Sequence, residues 1–234
     1  MAHIESKLKF TWSELKDILL SESPTETIRA LQKNGQLDSI LPEISALYGV
    51  EQPIAHHPEG DAFEHTMQVV DAMRKVTDEP AYLMAALCHD VGKAVTPMAL
   101  RPKHHEHEKN GVPIVTALCK RLEVPADVME ATCVGTENHG KFHRVFEMRA
   151  VRLVDFFNYH EGTTLGVEGI AYLALCDHQG RNNPDGIHEC YDAWFEMWQF
   201  IQDNPPLDHE RPEDTRKRHA NGIHEIRKKY MNVN

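Results

Sequence analysis

The segment that most constrains this fold is an apolar run, Tyr82–Cys88, that ends in His89 and Asp90. The run consists of good helix formers and predicts a buried helix. Gly92 and Lys93 follow, as is typical of a helix C-terminus. Burying an ionisable pair is costly unless the charges are paired or bind a metal ion. The segment alone therefore leaves two interpretations open, a capped helix end and a metal site.

Composition narrows the functional classes. The chain has 234 residues, a net charge of −11 and sixteen histidines, which concentrate in its middle. The negative charge argues against a broad surface for nucleic-acid backbones. No apolar run is long enough to cross a bilayer, and the N-terminus has no signal-peptide pattern. Five cysteines without a Cys-x-x-Cys pair indicate reduced thiols. We therefore expect a cytoplasmic protein that does not bind membranes.

Helix-start signals recur along the chain, and alternating strand patterns are absent, so the predicted fold is all-α, a single helical bundle. We expect a helical lead-in over 1–21, the main domain over 22–202 and a polar extension with a basic helix over 203–234. The capping-box pattern at Ser23 and a helix over Val145–Tyr159 are part of this prediction. The basic helix is either a packing arm or a contact for nucleic acid or another subunit.

Histidines and carboxylates with metal-ligand chemistry fall on separate predicted helices. Helical bundles build metal sites by projecting single ligands from facing helices into one cavity. Imidazole nitrogens and carboxylate oxygens suit hard or borderline divalent ions, and a carboxylate can bridge two of them. The candidate ligands are His65, His89, Asp90, His107, His139 and Asp177.

Two of these choices have alternatives. His104 and His105 lie within one turn of His107, so either can take its place. His143 lies one helical turn after His139 and is an alternative to it.

Several short motifs together resemble a known superfamily. They are Leu41-Pro-Glu-Ile, Tyr48-Gly-Val-Glu-Gln-Pro, His57-Pro-Glu-Gly-Asp, Glu64-His-Thr-Met, Ala86-Leu-Cys-His-Asp-Val-Gly-Lys, Arg101-Pro-Lys-His-His-Glu-His-Glu with Gly111, and Arg121-Leu-Glu-Val-Pro. With Asp177 they resemble the HD-domain metal-dependent phosphohydrolases, an all-α superfamily. The similarity is greatest to the HD domain at the C-terminus of some bacterial CCA-adding tRNA nucleotidyltransferases, and it covers roughly residues 22 to 200.

The resemblance implies a core metal site of His65, His89, Asp90 and Asp177. It places further ligands of two-metal members at His107 and His139. Lys93 matches the lysine of the His-Asp-x-Gly-Lys motif, where it would help neutralise substrate phosphate, and Asp90 and Lys93 are the predicted catalytic residues. We expect substrate contacts from Lys93, His104 and His105. His57 and Glu59 resemble an entry loop to which we assign no role.

Two departures from related families limit the prediction. The Gly-Ser and paired aspartates of a nucleotidyltransferase head are missing, so we do not expect this chain to add CCA by itself. No Gly-Tyr-Pro signature follows His139, which disfavours a cyclic-di-GMP phosphodiesterase.

The resulting hypothesis is a metal-dependent phosphohydrolase that cleaves phosphoesters of nucleotides or RNA ends, with 2′,3′-cyclic phosphodiesterase and phosphatase activity. Its cofactors would be one or two divalent ions among Mg, Mn, Ni, Co and Fe. One alternative is a mononucleotide nucleotidase or dNTP-type phosphohydrolase, and another is a non-catalytic, metal-ordered module that binds tRNA or a nucleotide. Binding to tRNA and homo-oligomer formation stay open.

Overall fold

The computed structural model describes residues 10–181 and 188–231, and the predicted all-α class is confirmed. Within these ranges the chain forms helices and loops, with an isolated antiparallel bridge between Glu51 and Asp61. The helices are α1 (Trp12–Leu19), α2 (Pro24–Lys33), α3 (Leu37–Ile40), α4 (Pro42–Ser45), α5 (Ala62–Val76), α6 (Pro80–Cys88), α7 (His107–Leu122), α8 (Ala126–Asn138), α9 (Ala150–His160), α10 (Gly166–Gln179), α11 (His188–Asp203) and α12 (Pro212–Met231). Short 3₁₀ helices cover Val91–Val95, Met98–Leu100 and His139–Arg144.

Helix α6 lies at the centre of the bundle, packed against α5, α8 and α10. All its residues except Pro80 and Tyr82 are buried. A helix that is apolar on every side is stable in water only when neighbours cover it all round. The chain leaves this helix at His89 and Asp90, so both side chains enter the interior.

One predicted helix cap and one predicted helix start differ from the structure. The Ser23 side chain makes no capping hydrogen bond, although Pro24 begins α2 as expected. The helix predicted from Val145 begins only at Ala150. Val145 is instead buried beside a tight turn in which the backbone amides of Glu147 and Met148 donate to the carbonyl of Arg144. Burial of an apolar side chain does not distinguish such a turn from a helix, which explains the error.

The C-terminal helix α12 packs on α9 and α11 and buries Ile223 and Ile226. Its cations mostly pair with acidic groups of the same chain, as in Arg216 with Asp155 and Arg218 with Glu210. This geometry favours the packing-arm interpretation of the basic helix. None of the helices in the described ranges combines the length and apolar character that a bilayer crossing requires.

Helix α7 begins directly against the 3₁₀ helix Val91–Val95, and glycine makes that approach possible. A methyl group on Gly92 would lie 1.9 Å from the His107 carbonyl oxygen and 2.7 Å from the Gly111 amide nitrogen. On Gly111 it would lie 2.6 Å from Cγ2 of Thr136. The two glycines therefore let His107 reach the end of α6.

Asp61 fixes the start of α5 and should be a measurable source of stability. Its Oδ1 accepts hydrogen bonds from the amides of Phe63 and Glu64 at 2.9 and 3.1 Å, and its Oδ2 accepts one from Gly49 at 2.7 Å. We expect Asp61→Ala to lower the free energy of unfolding by about 2 kcal/mol, the upper end for a lost N-cap. In urea titrations Asp17→Ala, on the exposed face of α1, should change it by less than about 0.5 kcal/mol. Equal effects of the two changes would contradict the capping role.

Candidate metal centre

The predicted ligands converge in the interior from separate helices. His65 comes from α5, His107 from the first turn of α7 and Asp177 from the last turn of α10. The pair His89 and Asp90 follows α6, and His139 follows α8. All six are buried except His107, which is partly exposed.

Asp90 lies between the other groups. Its Oδ2 is 2.6 Å from Nζ of Lys93 and 3.1 Å from Nε2 of His89. Its Oδ1 is 3.2 Å from Nε2 of His107 and 3.6 Å from Nε2 of His139. Burial opposes ionisation of this carboxyl, but His89 and Lys93 outweigh burial and hold its pKa well below the ordinary value. One carboxylate therefore faces two sets of possible ligands.

Two groups of side chains have the spacing of a divalent-ion site. One consists of His65, His89 and Asp177, and the other of Asp90, His107 and His139. Within each group the ligand atoms lie within 4.8 Å of one another. A third group, His57, Glu59 and His65, meets the same criterion beside the first.

Backbone carbonyls fix three of the imidazole rings. Nδ1 of His89 donates to the Ala86 carbonyl at 2.8 Å. In the same way Nδ1 of His107 donates to His104 at 2.8 Å, and Nδ1 of His139 to Thr136 at 3.2 Å. A neutral imidazole with a proton on Nδ1 presents a lone pair at Nε2. Such outer hydrogen bonds orient histidines that bind metals.

The acceptor atoms that these rings turn towards the centre show whether a cation fits there. Nε2 of His89 is buried and makes no hydrogen bond within the described structure, although Oδ2 of Asp90 is 3.1 Å away. Both atoms are acceptors when Nδ1 carries the ring proton, so a divalent cation between them would satisfy both. The nitrogen and oxygen donors also suit such an ion. The side chains present therefore fit the metal that the sequence predicts.

The first ligand group contains a tightly paired histidine. Nε2 of His65 lies 2.8 Å from Oδ1 of Asp177, and its Nδ1 lies 2.9 Å from Oε1 of Glu59. Burial alone would lower the pKa of His65, but these two carboxylates outweigh burial and raise it. Burial likewise opposes ionisation of Asp177, but Arg181, with Nη2 2.5 Å from Oδ2, outweighs burial and holds the Asp177 pKa well below its usual range.

The two histidines of the second group have pKa values that shift in opposite directions. Burial and the neighbouring His89 lower the pKa of His139 to about 3, so this ring is neutral near pH 7. Burial would also lower the pKa of His107, but Asp90 outweighs burial and raises it. A neutral ring is the form that binds a metal ion.

A pocket of about 330 Å³ opens onto Asp90 and Asp177. Its walls carry the cationic side chains of Lys93, Lys103 and Arg181. Nζ of Lys93 also donates to Oε1 of Gln52 at 2.5 Å, which orients the ammonium group in the pocket wall. Cations around a carboxylate-rich floor suit an anionic ligand that shares the site with metal ions.

The alternatives left by the sequence differ in position. Both ring nitrogens of His104 are engaged, Nδ1 with the Thr96 hydroxyl at 2.9 Å and Nε2 with the Glu51 carbonyl at 2.8 Å. His105 is exposed and lines the pocket with His104. Of the three neighbouring histidines, His107 is therefore the one that approaches Asp90.

His143 approaches Asp177, whereas His139 approaches Asp90. Nε2 of His143 is 3.5 Å from Oδ2 of Asp177. Of these two histidines, His139 is the one whose Nε2 lies near both Asp90 and His107.

Sequence reasoning missed Arg181 and Gln52 as parts of this site. Arg181 follows Asp177 by four residues, a spacing that places the two on one helix face and was available as a signal. Gln52 belongs to one of the quoted motifs, but its approach to Lys93 depends on folding of the loop and had no local signal.

Comparison with known proteins agrees with this geometry. The family model for the HD domain matches residues 62–160, a range that includes His65, His89, Asp90, His107 and His139. The chain contains an HD domain. The matched range ends before Asp177. In the folded chain Asp177 lies beside His65, one of the histidines within that range.

Relatives of this HD-domain chain carry the name multifunctional CCA protein. The Haemophilus influenzae protein is 36% identical over 178 residues, which cover 73% of this chain and 43% of the relative. The Alkalilimnicola ehrlichii protein is 39% identical over 61% of this chain and 35% of its own length. The Pasteurella multocida protein is 34% identical over 82% and 47%. The chain thus spans less than half the length of these relatives, and the predicted resemblance is confirmed.

Proposed function

We propose that this chain is a metal-dependent phosphohydrolase that cleaves phosphoesters of nucleotides or RNA ends. The observation that carries the proposal is the position of Asp90, whose two carboxylate oxygens face different histidines. This arrangement suits a carboxylate that bridges two ions. The matching HD domain supports a hydrolytic role for the same residues.

Each residue then has a distinct task. His65, His89 and Asp177 would hold one divalent ion, His107 and His139 a second, and Asp90 would bridge them. When bound, the ions would supply a Lewis acid for the phosphoryl oxygens and lower the pKa of a water molecule.

The remaining pocket residues would act on the substrate. The Lys93 ammonium, next to Asp90, would stabilise negative charge on the phosphoryl group. Arg181 and Lys103 would hold its other oxygens, and His104 and His105 would line the path to the leaving group. The pocket volume of about 330 Å³ suits part of a mononucleotide or one RNA end.

A substrate panel tests this proposal. The purified protein would be assayed with 2′,3′-cyclic, 2′-, 3′- and 5′-nucleotides and dNTPs, each with Mg²⁺, Mn²⁺, Ni²⁺, Co²⁺ or Fe²⁺. We expect turnover of a cyclic or 2′- or 3′-phosphoester that chelation abolishes and added metal restores. Preference for 5′-nucleotides or dNTPs would favour the nucleotidase alternative, and no metal-dependent turnover would contradict the proposal.

His107→Ala tests the second ion site and has a close control. Nε2 of His107 points at Asp90 and His139, whereas His105 is exposed. We expect His107→Ala to weaken binding of one Mn²⁺ ion by about 100-fold, the size of effect seen when residues that support a metal are disrupted. His105→Ala should leave the dissociation constants of both Mn²⁺ ions unchanged. Calorimetric titration of metal-free protein with Mn²⁺ gives both values. Unchanged Mn²⁺ binding in His107→Ala would exclude it as a ligand.

A non-catalytic module that binds tRNA is the second candidate. The names of the relatives favour it, because they belong to multifunctional CCA proteins. The internal pairing of cations on α12 weakens it, since few of them are left for phosphates. Tight tRNA binding without turnover, unaffected by chelation, would support this candidate.

A further inference from the structure

The loop before α5 holds two buried side chains, His57 and Glu59, that the proposed chemistry does not use. Glu59 lies between two imidazole rings, with its Oε1 3.0 Å from Nδ1 of His57 and 2.9 Å from Nδ1 of His65. The Glu59 side chain is 3% exposed and His57 is 8% exposed. The two rings meet edge to face, with centroids 4.7 Å apart. One carboxylate therefore contacts both a candidate metal ligand and a second histidine.

His57 differs from His65 in what lies on its other side. His65 turns Nε2 towards Asp177 in the metal centre, whereas His57 lines the pocket together with Asp90 and Lys93. Because Nδ1 of His57 faces Glu59, the opposite edge of the ring, with Nε2, is the one left for a ligand. The His57 ring is thus a wall of the substrate pocket that a buried carboxylate holds in place.

The Glu59 carboxylate also determines whether His57 donates or accepts a hydrogen bond in the pocket. A carboxylate only accepts hydrogen bonds, so Nδ1 of His57 must donate to Glu59. In the neutral ring this leaves Nε2 as an acceptor. An acceptor suits a hydroxyl group and is a poor partner for a phosphate oxygen. Because Lys93 lines the same pocket, the hydroxyl in question would be next to the phosphate.

We propose that His57, positioned by Glu59, accepts a hydrogen bond from a sugar hydroxyl adjacent to the phosphate and makes the site select ribose over deoxyribose. This inference rests on the proposed phosphohydrolase function, acting on 2′- or 3′-phosphomonoesters whose neighbouring hydroxyl is free, and it names a residue that determines the substrate. A site built to bind a hydroxyl discriminates strongly against an analogue that lacks it, because a buried polar group is then left unpaired.

The test compares kcat/KM for adenosine 3′-monophosphate and 2′-deoxyadenosine 3′-monophosphate. We expect the wild type to prefer the ribose substrate by about tenfold or more, equivalent to one good hydrogen bond. His57→Ala should remove most of this preference, and His56→Ala, at an exposed neighbouring position, should keep it. Glu59→Ala should behave like His57→Ala, and Glu59→Gln, which retains an acceptor oxygen, should restore part of the preference.

A spectroscopic measurement checks the positioning role without turnover. In protein labelled with nitrogen-15 at histidine, the His57 signals should show a proton on Nδ1, and Glu59→Ala should remove that signature while Glu59→Gln retains it. Circular dichroism would show that each variant is folded.

Three results would overturn the proposal. They are equal kcat/KM for the two substrates in the wild type, equal losses on both substrates in His57→Ala, and a proton on Nε2 rather than Nδ1 of His57. If the wild type hydrolyses neither compound, the proposed function fails on these substrates, and calorimetric binding of the same pair still decides whether His57 distinguishes the hydroxyl.

Discussion

Asp90→Asn is expected to reduce kcat/KM on the best phosphoester substrate by on the order of a thousandfold, the upper range for one preorganised electrostatic group. The substitution keeps the size of the side chain and removes the charge that lies 2.6 Å from Lys93 and faces histidines on both sides. A neutral amide binds a divalent ion less tightly than a carboxylate and bridges two ions poorly. Both ion sites should therefore weaken together.

The measurement pairs kinetics with metal content, because loss of either ion alone would point to a different residue. Asp38→Asn, on the exposed side of α3, provides the matched control and should behave as wild type. Circular dichroism of the metal-free proteins separates unfolding from loss of the site. An Asp90→Asn protein that keeps two ions and more than about a tenth of its activity would remove Asp90 from the centre.

Gly92→Ala is expected to destabilise the fold more than the same substitution at any other glycine that the structure describes. The added carbon would lie 1.9 Å from the His107 carbonyl oxygen and 2.8 Å from its carbonyl carbon. These are backbone atoms, so no side chain can rotate to relieve the contact. We expect a loss of about 3 kcal/mol in the free energy of unfolding, at the high end for overpacking, measured by urea denaturation.

The same change should damage the metal centre, because relief requires α7 to move away and His107 to withdraw from Asp90. Weaker binding of the second Mn²⁺ ion is therefore the accompanying result. Gly162→Ala is the control, since nothing lies within 4 Å of its added carbon, and it should change stability by less than about 1 kcal/mol. Equal stability of the two variants would show that the contact at Gly92 is relieved without cost.

The sequence carried enough information to predict the fold class and the convergence of the ligands. Tyr82–Cys88 is apolar throughout, so its helix had to be central, and the charged pair that ends it had to find partners in the interior. Asp177 ends a similar apolar run in α10. That pattern predicted that Asp177 lies among the other ligands, and in the structure it lies beside His65. In both cases a local pattern determined where the chain had to be buried.

The parts that could not be predicted depend on contacts between distant segments. His104 is engaged by the Glu51 carbonyl, a distant contact, whereas His107 approaches Asp90. The link from Glu59 to both His57 and His65 arises from the turn of the loop before α5. Neither contact leaves a periodic signal in the chain. The late start of α9 has a similar cause, because Val145 is buried in a turn.

The most direct test of the central claim is the number of divalent ions that the purified protein binds. Metal-free protein would be titrated with Mn²⁺ in a calorimeter, and metal content after dialysis would be measured by elemental analysis. We predict two sites in the wild type, with binding at both impaired by Asp90→Asn. Absence of Mn²⁺ binding, or binding that is equally tight in Asp90→Asn, would contradict a metal centre built on Asp90.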